Sequence, residues 1–413
     1  MKSRARDRVE EIFKKVNDKN ILIAETQKIV DKIESLNPRF VGISVFTYNC
    51  LPITKLLCLM IKLQLPHIKI ILGGQGLSNN GINSSYSWGD IALKTNLCDH
   101  WVKSEGEFSL VDILQQKIIV DGEWRQIQNL DTLPQPDYTD YNWQEYTSLI
   151  PVTASRGCVR KCTFCDIHQH WKRFVYRDGT SVANEIIEQS KRYNITRIRF
   201  TDSLLNGSMK AYRNMVHKLA DYNSTQDKKI SWSSQFIFRP INQMTDEDWR
   251  ITALSGGYDL SIGIESFSEE IRDHMQKKFS NQDIVDNLCY MKKYGIGCTF
   301  LMIVGYVTET DKHIQEAKDM IDILQKFANN TIKKLQFGST LGILPGTPLA
   351  DMYGDNIIPG KHENDWINTA TGNNLETRLR WLQELKQYAS SRGFRVDDDD
   401  VHQSLLDNFQ QVS

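Results

Sequence analysis

The sequence predicts an α/β protein built from parallel sheets that are covered by helices. Short apolar segments rich in β-branched residues alternate with segments of helical period along most of the 413 residues. This alternation is interrupted once, between residues 119 and 148, so that a shorter run of strands precedes a longer run of six. Serial strand–helix units of this kind form parallel sheets, either open or curled toward a barrel.

The shorter run occupies residues 1–118. Apolar residues recur at helical spacing around residues 9–16 and again over 21–36, which predicts two helices. The predicted strands lie at 40–46, at 67–77 and at the start of 100–116, with helices between and after them. This order predicts a small parallel sheet with helical crossovers.

Residues 119–148 differ from the segments on either side. They contain two prolines and show no sustained period, as in LDTLPQPDYTDYNWQEY. We interpret this segment as a linker that lies across the surface of its neighbours.

The longer run occupies residues 149–350. The predicted strands are LIPVTAS, ITRIRFTD, KISWSSQF, YDLSIGIES, GCTFLMIVGY and KLQFGSTLGI, with helical segments such as SVANEIIEQSKRYN between them. Residues 351–413 are predicted to form a C-terminal helical extension, which contains the amphipathic segment LETRLRWLQELKQYA and ends in an acidic tail.

The overall composition argues against several classes of protein. With 50 basic and 51 acidic residues, the chain has no global attraction for nucleic acid or an anionic membrane, and we find no nucleic-acid-binding module. The N-terminus is charged throughout, unlike a signal peptide, and the longest apolar runs are about half of a membrane-spanning helix. We therefore expect a cytoplasmic protein that does not enter a membrane.

The cysteines fall into two groups. Eight in 413 residues are too few for a disulfide scaffold. We interpret the isolated ones as buried small hydrophobes, namely Cys50, Cys58, Cys98, Cys289 and Cys298.

The other three cysteines, Cys158, Cys162 and Cys165, form a C-x3-C-x2-C cluster directly after the first strand of the longer run. Parallel α/β proteins bind ligands at the carboxyl ends of their strands, which is where this loop begins. Structural zinc sites take four ligands, whereas a cubane iron–sulfur cluster takes one thiolate per iron. Three thiolates would leave one iron open, which favours a reactive centre. A zinc site completed by His168 or His170, or a chance cluster, stays open as an alternative.

The segment CVRKCTFC, with Phe164 before its last cysteine, resembles the CxxxCxΦC signature of radical S-adenosylmethionine (radical SAM) enzymes. The preceding TASRGC and the linker resemble the subfamily in which a cobalamin-binding-type domain precedes the radical SAM domain. Four further segments follow in the order expected for this family: RIRFTDSLLNG, SIGIESFSEEIRDHMQKK, FLMIVGYVTET and LGILPGTPL. The resemblance extends from about residue 40 to residue 350.

This resemblance implies a partial (β/α)6 barrel over residues 149–350 that holds a [4Fe-4S] cluster on Cys158, Cys162 and Cys165. In the family, S-adenosylmethionine (SAM) occupies the fourth iron, and an electron from the cluster cleaves it to methionine and a 5′-deoxyadenosyl radical. The substrate is unknown. Basic residues flank the cysteines and could attract an anionic substrate or an acidic reducing partner such as flavodoxin or ferredoxin, or simply form a solvated loop; they are Arg156, Arg160, Lys161, Lys172, Arg173 and Arg177.

The resemblance also implies which residues contact SAM. Asp202 lies near the family's contact to the methionyl amino group, and Glu265 and Ser266 lie where the family makes polar contacts, such as those to the ribose. Phe164 and the backbone around Gly305 would flank the adenine. From the residues alone, Asp202 could equally end a strand and Gly305 could be a turn glycine.

The N-terminal segment resembles the second half of a cobalamin-binding Rossmann-like domain, including the pair Gly73–Gly74 and the segment Ser104–Glu107. It lacks the D-x-H-x-x-G motif that supplies the cobalt-ligating histidine, and His67 and His100 stand in other contexts. Some family members bind cobalamin without that histidine, so cobalamin stays an open prediction for this truncated domain.

Two other functions compete with a radical SAM enzyme that performs methyl transfer or another C–H functionalisation. A methylthiotransferase acting on tRNA or protein would need three further cysteines in the N-terminal domain, where the contexts of Cys50, Cys58 and Cys98 do not match. A zinc-stabilised binding protein without enzymatic activity is the other alternative. The sequence does not name the substrate, because one scaffold supports many reactions.

Overall fold

The chain forms two compact units, Met1–Ile127 and Gln128–Ser413. The structure, a computed structural model, describes residues 19–77, 87–117, 119–143, 145, 147–338, 340–352, 356–360 and 363–397. The helix predicted around residues 9–16 and the acidic tail beyond residue 397 lie outside the described residues.

The first unit is a four-stranded sheet whose strands are all parallel and follow one another in chain order. Its strands are β1 (Phe40–Ser44), β2 (Lys69–Gly73), β3 (His100–Ser104) and β4 (Trp124–Arg125). Its helices are α1 (Lys19–Leu36), α2 (Leu51–Gln64), α3 (Trp88–Lys94) and α4 (Glu107–Leu114). The predicted small parallel sheet is therefore present. The short strand β4 lies inside the segment predicted as a linker, where it pairs with β3.

The second unit contains a six-stranded parallel sheet in the order β12-β11-β10-β9-β8-β5. These strands are β5 (Ile150–Val152), β8 (Arg197–Phe200), β9 (Ser231–Phe236), β10 (Gly257–Glu265), β11 (Gly297–Met302) and β12 (Ile332–Gln336). Two short antiparallel pairs accompany it, β6 (Ser155–Arg156) with β7 (Val175–Tyr176) and β13 (Ile357–Ile358) with β14 (Ile367–Asn368). Because neighbouring strands follow chain order, the sheet has the topology of a partial β/α barrel, which confirms the predicted fold class.

Helices follow the barrel strands along the chain. They are α5 (Ile167–His170), α6 (Gly179–Tyr193), α7 (Met209–Ser224), α8 (Asp246–Leu254), α9 (Glu269–His274), α10 (Asn281–Tyr294), α11 (Asp311–Leu324), α12 (Pro348–Met352) and α13 (Leu375–Ser391). Helix α13 is the predicted helical extension. None of the described helices is long and apolar enough to cross a membrane.

Local sequence explains where these helices begin and end. Asp178 precedes α6 and its carboxylate accepts hydrogen bonds from backbone N–H groups of the first turn, while Asn194 ends the helix in the left-handed region. Helix α10 begins with a reciprocal pair of hydrogen bonds between Ser280 and Asp283 and ends at Gly295, which has φ of 71°.

The two faces of the barrel sheet differ. On the outer face, large side chains pack against the helices, as where Trp232 lies edge-on to Tyr212 of α7 and Phe236 contacts Trp249 of α8. Side chains at the alternate positions lie on the opposite, concave face. In β10, for example, Leu260 and Ile262 are buried, whereas the residues between and after them are only partly buried.

The prediction for the isolated cysteines was correct for three of the five. Cys58, Cys98 and Cys298 are buried, and burial raises the pKa of Cys58 to about 11. Cys50 and Cys289 are exposed, so the prediction was wrong for these two. Cys289 lies on α10, where the buried side chains are on another face of the helix.

Candidate active site at the carboxyl edge of the barrel

The three-cysteine loop leaves the barrel after β5, at the carboxyl edge of the sheet. Strands β6 and β7 pair antiparallel at its two ends, so that the loop is closed at its base. Cys162 is buried with 8% exposure, whereas Cys158 and Cys165 are half-buried. The thiols therefore stand on one short, constrained segment beside the mouth of the barrel.

Asp202 fixes the start of this loop. Its carboxylate accepts hydrogen bonds from the backbone N–H of Ala154 at 3.0 Å and from the hydroxyl of Ser155 at 2.5 Å. Burial raises the pKa of Asp202 to about 6, although these hydrogen bonds favour its charged form. The carboxylate predicted to lie near SAM is thus engaged with the backbone that carries the cysteines.

The segment Pro345–Leu349 holds the loop from the other side. The side-chain amide of Gln169 donates to the Pro345 carbonyl at 2.7 Å, and the backbone N–H of Leu349 donates to the Thr163 carbonyl at 2.8 Å. The Thr163 hydroxyl lies 2.8 Å from the hydroxyl of Tyr306. The PGTPL segment therefore anchors the residues between the cysteines through the backbone.

Burial raises the pKa of all three thiols, that of Cys165 to about 11. The ammonium group of Lys277 opposes this effect at Cys158 and Cys162 by stabilising the thiolate form. The loop is thus a set of desolvated thiols that a bound cation would ionise.

The two histidines near the cysteines have other partners. His168 Nε2 lies 2.7 Å from the carbonyl oxygen of Arg160, and His170 Nε2 lies 3.6 Å from a carboxylate oxygen of Asp166. Within the described residues, no three His, Cys, Asp or Glu side chains are gathered closely enough to hold one metal ion. Both histidines that could complete a zinc site are thus engaged with other protein groups.

Glu265 and Lys277 form an ion pair beside the thiols, with 2.9 Å between Oε1 and Nζ. Burial disfavours the charged form of Lys277, but the Glu265 carboxylate outweighs this effect, so the pKa of Lys277 is raised. The same ammonium lies 5.9 Å from the centre of the Phe164 ring. Glu265, Lys277 and Phe164 thus lie together near two of the cysteines.

The backbone around this ion pair is unusual. Glu265 ends β10 with φ of 67°, and Gln276 and Lys278, on either side of Lys277, have φ of 60° and 57°. Left-handed conformations of non-glycine residues cost energy and cluster at functional sites. Gly263 has no side chain to obstruct the pair, since a Cβ there would lie 3.0 Å from Lys277 Nζ. Sequence reasoning missed Lys277, although its place in the HMQKK segment was the available signal.

Ser266 and Gly305, two of the residues predicted to contact SAM, are engaged within the fold. The hydroxyl of Ser266 accepts a hydrogen bond from Ser268 N at 3.2 Å, and its carbonyl accepts one from Arg272 at 2.7 Å. Gly305 has φ of 86°, and a Cβ there would lie 2.1 Å from Cδ of Arg378 in α13. The structure therefore explains this glycine by its turn and by close packing of the C-terminal helix.

Glu309 closes the same turn. Its carboxylate accepts hydrogen bonds from the backbone N–H groups of Gly305 at 2.5 Å and Tyr306 at 3.1 Å. Burial raises the pKa of Glu309 to about 7. Of the eight residues predicted for the site, the cysteines, Phe164 and Glu265 lie together, whereas Asp202, Ser266 and Gly305 act within the framework around them.

Part of the second unit matches a family model of known proteins. Residues 152–321 match the family model of the Radical SAM superfamily. The chain is 25% identical over 267 residues to the bacteriochlorophyllide d C-12(1)-methyltransferase of Chlorobaculum tepidum, and the match covers 62% of this chain and 55% of that protein. The chain thus spans just over half of the length of this relative.

Two solved structures share the fold. The radical SAM methyltransferase TsrM from Kitasatospora setae has a TM-score of 0.63 at 16% identity, covering 81% of this chain and 69% of that one. The cobalamin-dependent radical SAM enzyme OxsB has a TM-score of 0.62 at 15% identity, covering 79% and 54%.

The barrel topology and the cysteine loop define the class of this protein, a β/α-barrel protein with a cysteine loop at the carboxyl edge of its sheet. The sequence match within that barrel points to the family: residues 152–321 match the Radical SAM superfamily, and the fold of the chain is shared with TsrM and OxsB.

Proposed function

We propose that the protein is a radical SAM enzyme in which Cys158, Cys162 and Cys165 hold a [4Fe-4S] cluster and SAM binds at the iron without a cysteine ligand. The observation that carries the proposal is the anchored loop with three desolvated thiols at the barrel mouth. The nearby histidines have other partners, which leaves three protein ligands and one open position. When bound, the cluster would supply the electron that cleaves SAM to methionine and a 5′-deoxyadenosyl radical.

The residues around the loop have distinct roles in this proposal. Asp202 and the PGTPL segment hold the loop backbone, so that the three sulfur atoms keep their spacing when the cluster is loaded. The Lys277 ammonium offsets part of the negative charge of the thiolates, and Glu265 orients that ammonium through the 2.9 Å ion pair. The polar groups of Glu265 and the ring of Phe164 are the side chains best placed to contact SAM.

The proposed reaction is methyl transfer or another C–H functionalisation of a substrate not yet identified. The relatives named above include a methyltransferase, which supports this class. A methylthiotransferase is less well supported, because Cys50 is exposed while Cys58 and Cys98 belong to the core of the first unit. These three cysteines do not form a second cluster-binding loop like that of Cys158–Cys165.

Cobalamin is a further candidate cofactor, supported by the fold shared with OxsB, whose structure contains aqua-cobalamin. In this chain His67 precedes β2 and bonds Asn37 at 3.0 Å, while His100 begins β3 beside Asp121. Both lie at the amino ends of strands, the edge opposite to the one where parallel sheets bind ligands. We propose that cobalamin binding, tested by titration, would use no histidine of this unit.

We also propose a cytoplasmic enzyme reduced by an acidic protein such as flavodoxin or ferredoxin. Basic side chains flank the cysteine loop, namely Arg156, Arg160, Lys161, Lys172, Arg173 and Arg177. Part of this charge is internally neutralised, since Arg177 pairs with Glu185 and Asp131. Arg160, which is half-buried, and Lys161, which is exposed, would attract an acidic surface.

The decisive experiment is anaerobic reconstitution with iron and sulfide, reduction with dithionite, addition of SAM, and quantification of 5′-deoxyadenosine by mass spectrometry. We expect wild type to form it and Cys162→Ala to form none above background. Cys289→Ala, which removes an exposed thiol outside the loop, is the matched control and should behave as wild type. A colourless protein that binds zinc and leaves SAM intact would overturn the proposal in favour of the binding protein.

A further inference from the structure

The concave face of the barrel carries a row of polar side chains that packing does not explain. Barrel interiors are usually filled with Val, Ile and Leu. Here the strand register places Gln235 opposite Ser261, Ser261 opposite Thr299, and Thr299 opposite Lys334. On the neighbouring strands, the hydroxyls of Thr153 and Thr201 lie 2.7 Å apart. We call these the polar ribbon: Thr153, Thr201, Gln235, Ser261, Thr299 and Lys334.

The middle of the polar ribbon has unused hydrogen-bonding capacity. Gln235, Ser261 and Thr299 are all half-buried. Within the part of the chain that the structure describes, their side chains make no hydrogen bond to another protein group. Half-buried amide and hydroxyl groups on one face of a sheet are suited to hydrogen-bond a polar ligand.

A positively charged side chain, that of Arg199, lies next to the polar ribbon on the side of the amino ends of the strands. Arg199 of β8 is half-buried and its Nη1 donates to the hydroxyl of Ser233 at 3.2 Å. Among the described residues, no carboxylate lies within 4.0 Å of its guanidinium. Lys334 differs, since its Nζ lies 2.8 Å from a carboxylate oxygen of Asp397. Of these two cations, Arg199 is therefore the one whose charge is available.

The acidic side chain near Arg199 is that of Asp259. Asp259 faces Ser233 across the β9–β10 register, on the far side of Ser233 from Arg199. Its Oδ1 is buried and has no hydrogen-bond partner. It forms no ion pair with Arg199 within 4.0 Å, so it does not neutralise the guanidinium.

We propose that this face binds the substrate, and that the substrate is a polar molecule with an oxyanion, a carboxylate or a phosphate, held by the Arg199 guanidinium. Its neutral polar groups hydrogen-bond to Gln235, Ser261 and Thr299. A guanidinium binds both kinds of oxyanion through paired N–H donors. This inference rests on the proposed function for the chemistry done on the substrate, but the binding step itself requires neither cluster nor SAM.

The test uses the full chain without SAM and two probes, inorganic phosphate and acetate. Binding is measured by isothermal titration and by ³¹P or ¹³C NMR line width. We expect saturable binding of at least one probe to wild type, weakened about tenfold or more in Arg199→Gln and partly restored in Arg199→Lys. The tighter of the two probes indicates whether the substrate anion is a phosphate or a carboxylate.

Arg197→Gln is the matched control, because Arg197 lies on the same strand and face but is exposed. It should bind both probes as wild type does. Melting temperatures of all variants exclude misfolding as the cause of a loss. Equal affinity in wild type and Arg199→Gln, or no saturable binding to wild type, would overturn the inference. Neither outcome depends on 5′-deoxyadenosine formation, so failure here and failure of the proposed enzyme activity are distinguishable.

Discussion

The two units each present the carboxyl edge of a parallel sheet, but they use that edge differently. In the first unit the loops after the strands close on one another, as where a Cβ on Gly74 would lie 2.4 Å from the Val45 carbonyl oxygen. The buried Glu105 carboxylate accepts the backbone N–H of Ile127. In the second unit the same edge carries three thiols and the Glu265–Lys277 ion pair.

This comparison shows that parallel strands in chain order are not enough to place reactive side chains at the carboxyl edge of a sheet. Both sheets have parallel strands in chain order, the arrangement that places ligand sites at carboxyl ends. The chemistry arises where the second unit extends a long loop and then anchors it from several elements. Matched substitutions in the two units test whether the carboxyl edge of the second sheet depends on packing that the first lacks.

The largest expected effect comes from replacing a glycine of the second unit by alanine, with a glycine of the first unit replaced for comparison. Gly305→Ala forces a Cβ toward Arg378 at a residue with φ of 86°, and Arg378 is buried with hydrogen bonds to Asn373 and Trp366. We expect a loss of about 3 kcal/mol in the free energy of unfolding. Gly42 of β1 has nothing within 4 Å of an added Cβ, so Gly42→Ala should be neutral or slightly stabilising.

Urea denaturation of both variants measures this difference. If Gly305→Ala unfolds at the same urea concentration as Gly42→Ala, the contact between α13 and the turn does not stabilise the second unit.

The second expected effect is a pH dependence of the free energy of unfolding that arises from Glu309. Burial raises its pKa from the ordinary 4.5 to about 7, so the folded chain favours the protonated carboxyl. The protonated Glu309 side chain therefore makes its full contribution to the free energy of unfolding below about pH 4.5. This contribution is lost as the pH rises to about 7, which lowers the free energy of unfolding by about 3 kcal/mol. Glu309→Gln lacks this titration.

The measurement compares urea unfolding of wild type and Glu309→Gln at several pH values. We expect wild type to lose stability relative to the variant between pH 5 and pH 7. Parallel curves for the two proteins would mean that the two backbone hydrogen bonds from Gly305 and Tyr306 keep the carboxylate ionised despite its burial.

Much of this architecture could be predicted from the sequence. Hydrophobic period and segment length predicted six strands in a parallel sheet, and the family resemblance implied the partial barrel. The cysteine cluster was recognised from its spacing and from the family signature. What the sequence did not reveal were side-chain partners distant along the chain. Asp202 holds Ala154 and Ser155, and Gly305 accommodates Arg378, neither of which was predicted. The predicted contacts of these two residues to SAM stay predictions. Such roles depend on tertiary proximity, which a single sequence does not record.

The smallest expected effect on the free energy of unfolding comes from removing one hydrogen bond that anchors the cysteine loop. Gln169→Ala removes the 2.7 Å hydrogen bond to the Pro345 carbonyl, and we expect a loss of about 1 kcal/mol. In the first unit, Gln27→Ala removes a side-chain amide pair with Gln64 on exposed helix surfaces, which should change stability by no more than about 0.5 kcal/mol.

Amide hydrogen exchange within the cysteine loop is the more informative measurement. Local opening of the loop changes its exchange rates even when the free energy of global unfolding hardly changes. Faster exchange around Cys162–Cys165 in Gln169→Ala, with exchange in the first unit unchanged, would indicate that the PGTPL segment stabilises the loop before any cluster is bound. Unchanged exchange would mean that the Gln169 side chain adds nothing to the anchoring that Thr163 and Asp202 already provide. The loop would then depend on the backbone hydrogen bond from Leu349 to Thr163, on the hydroxyl contact of Thr163 with Tyr306, and on the Asp202 carboxylate.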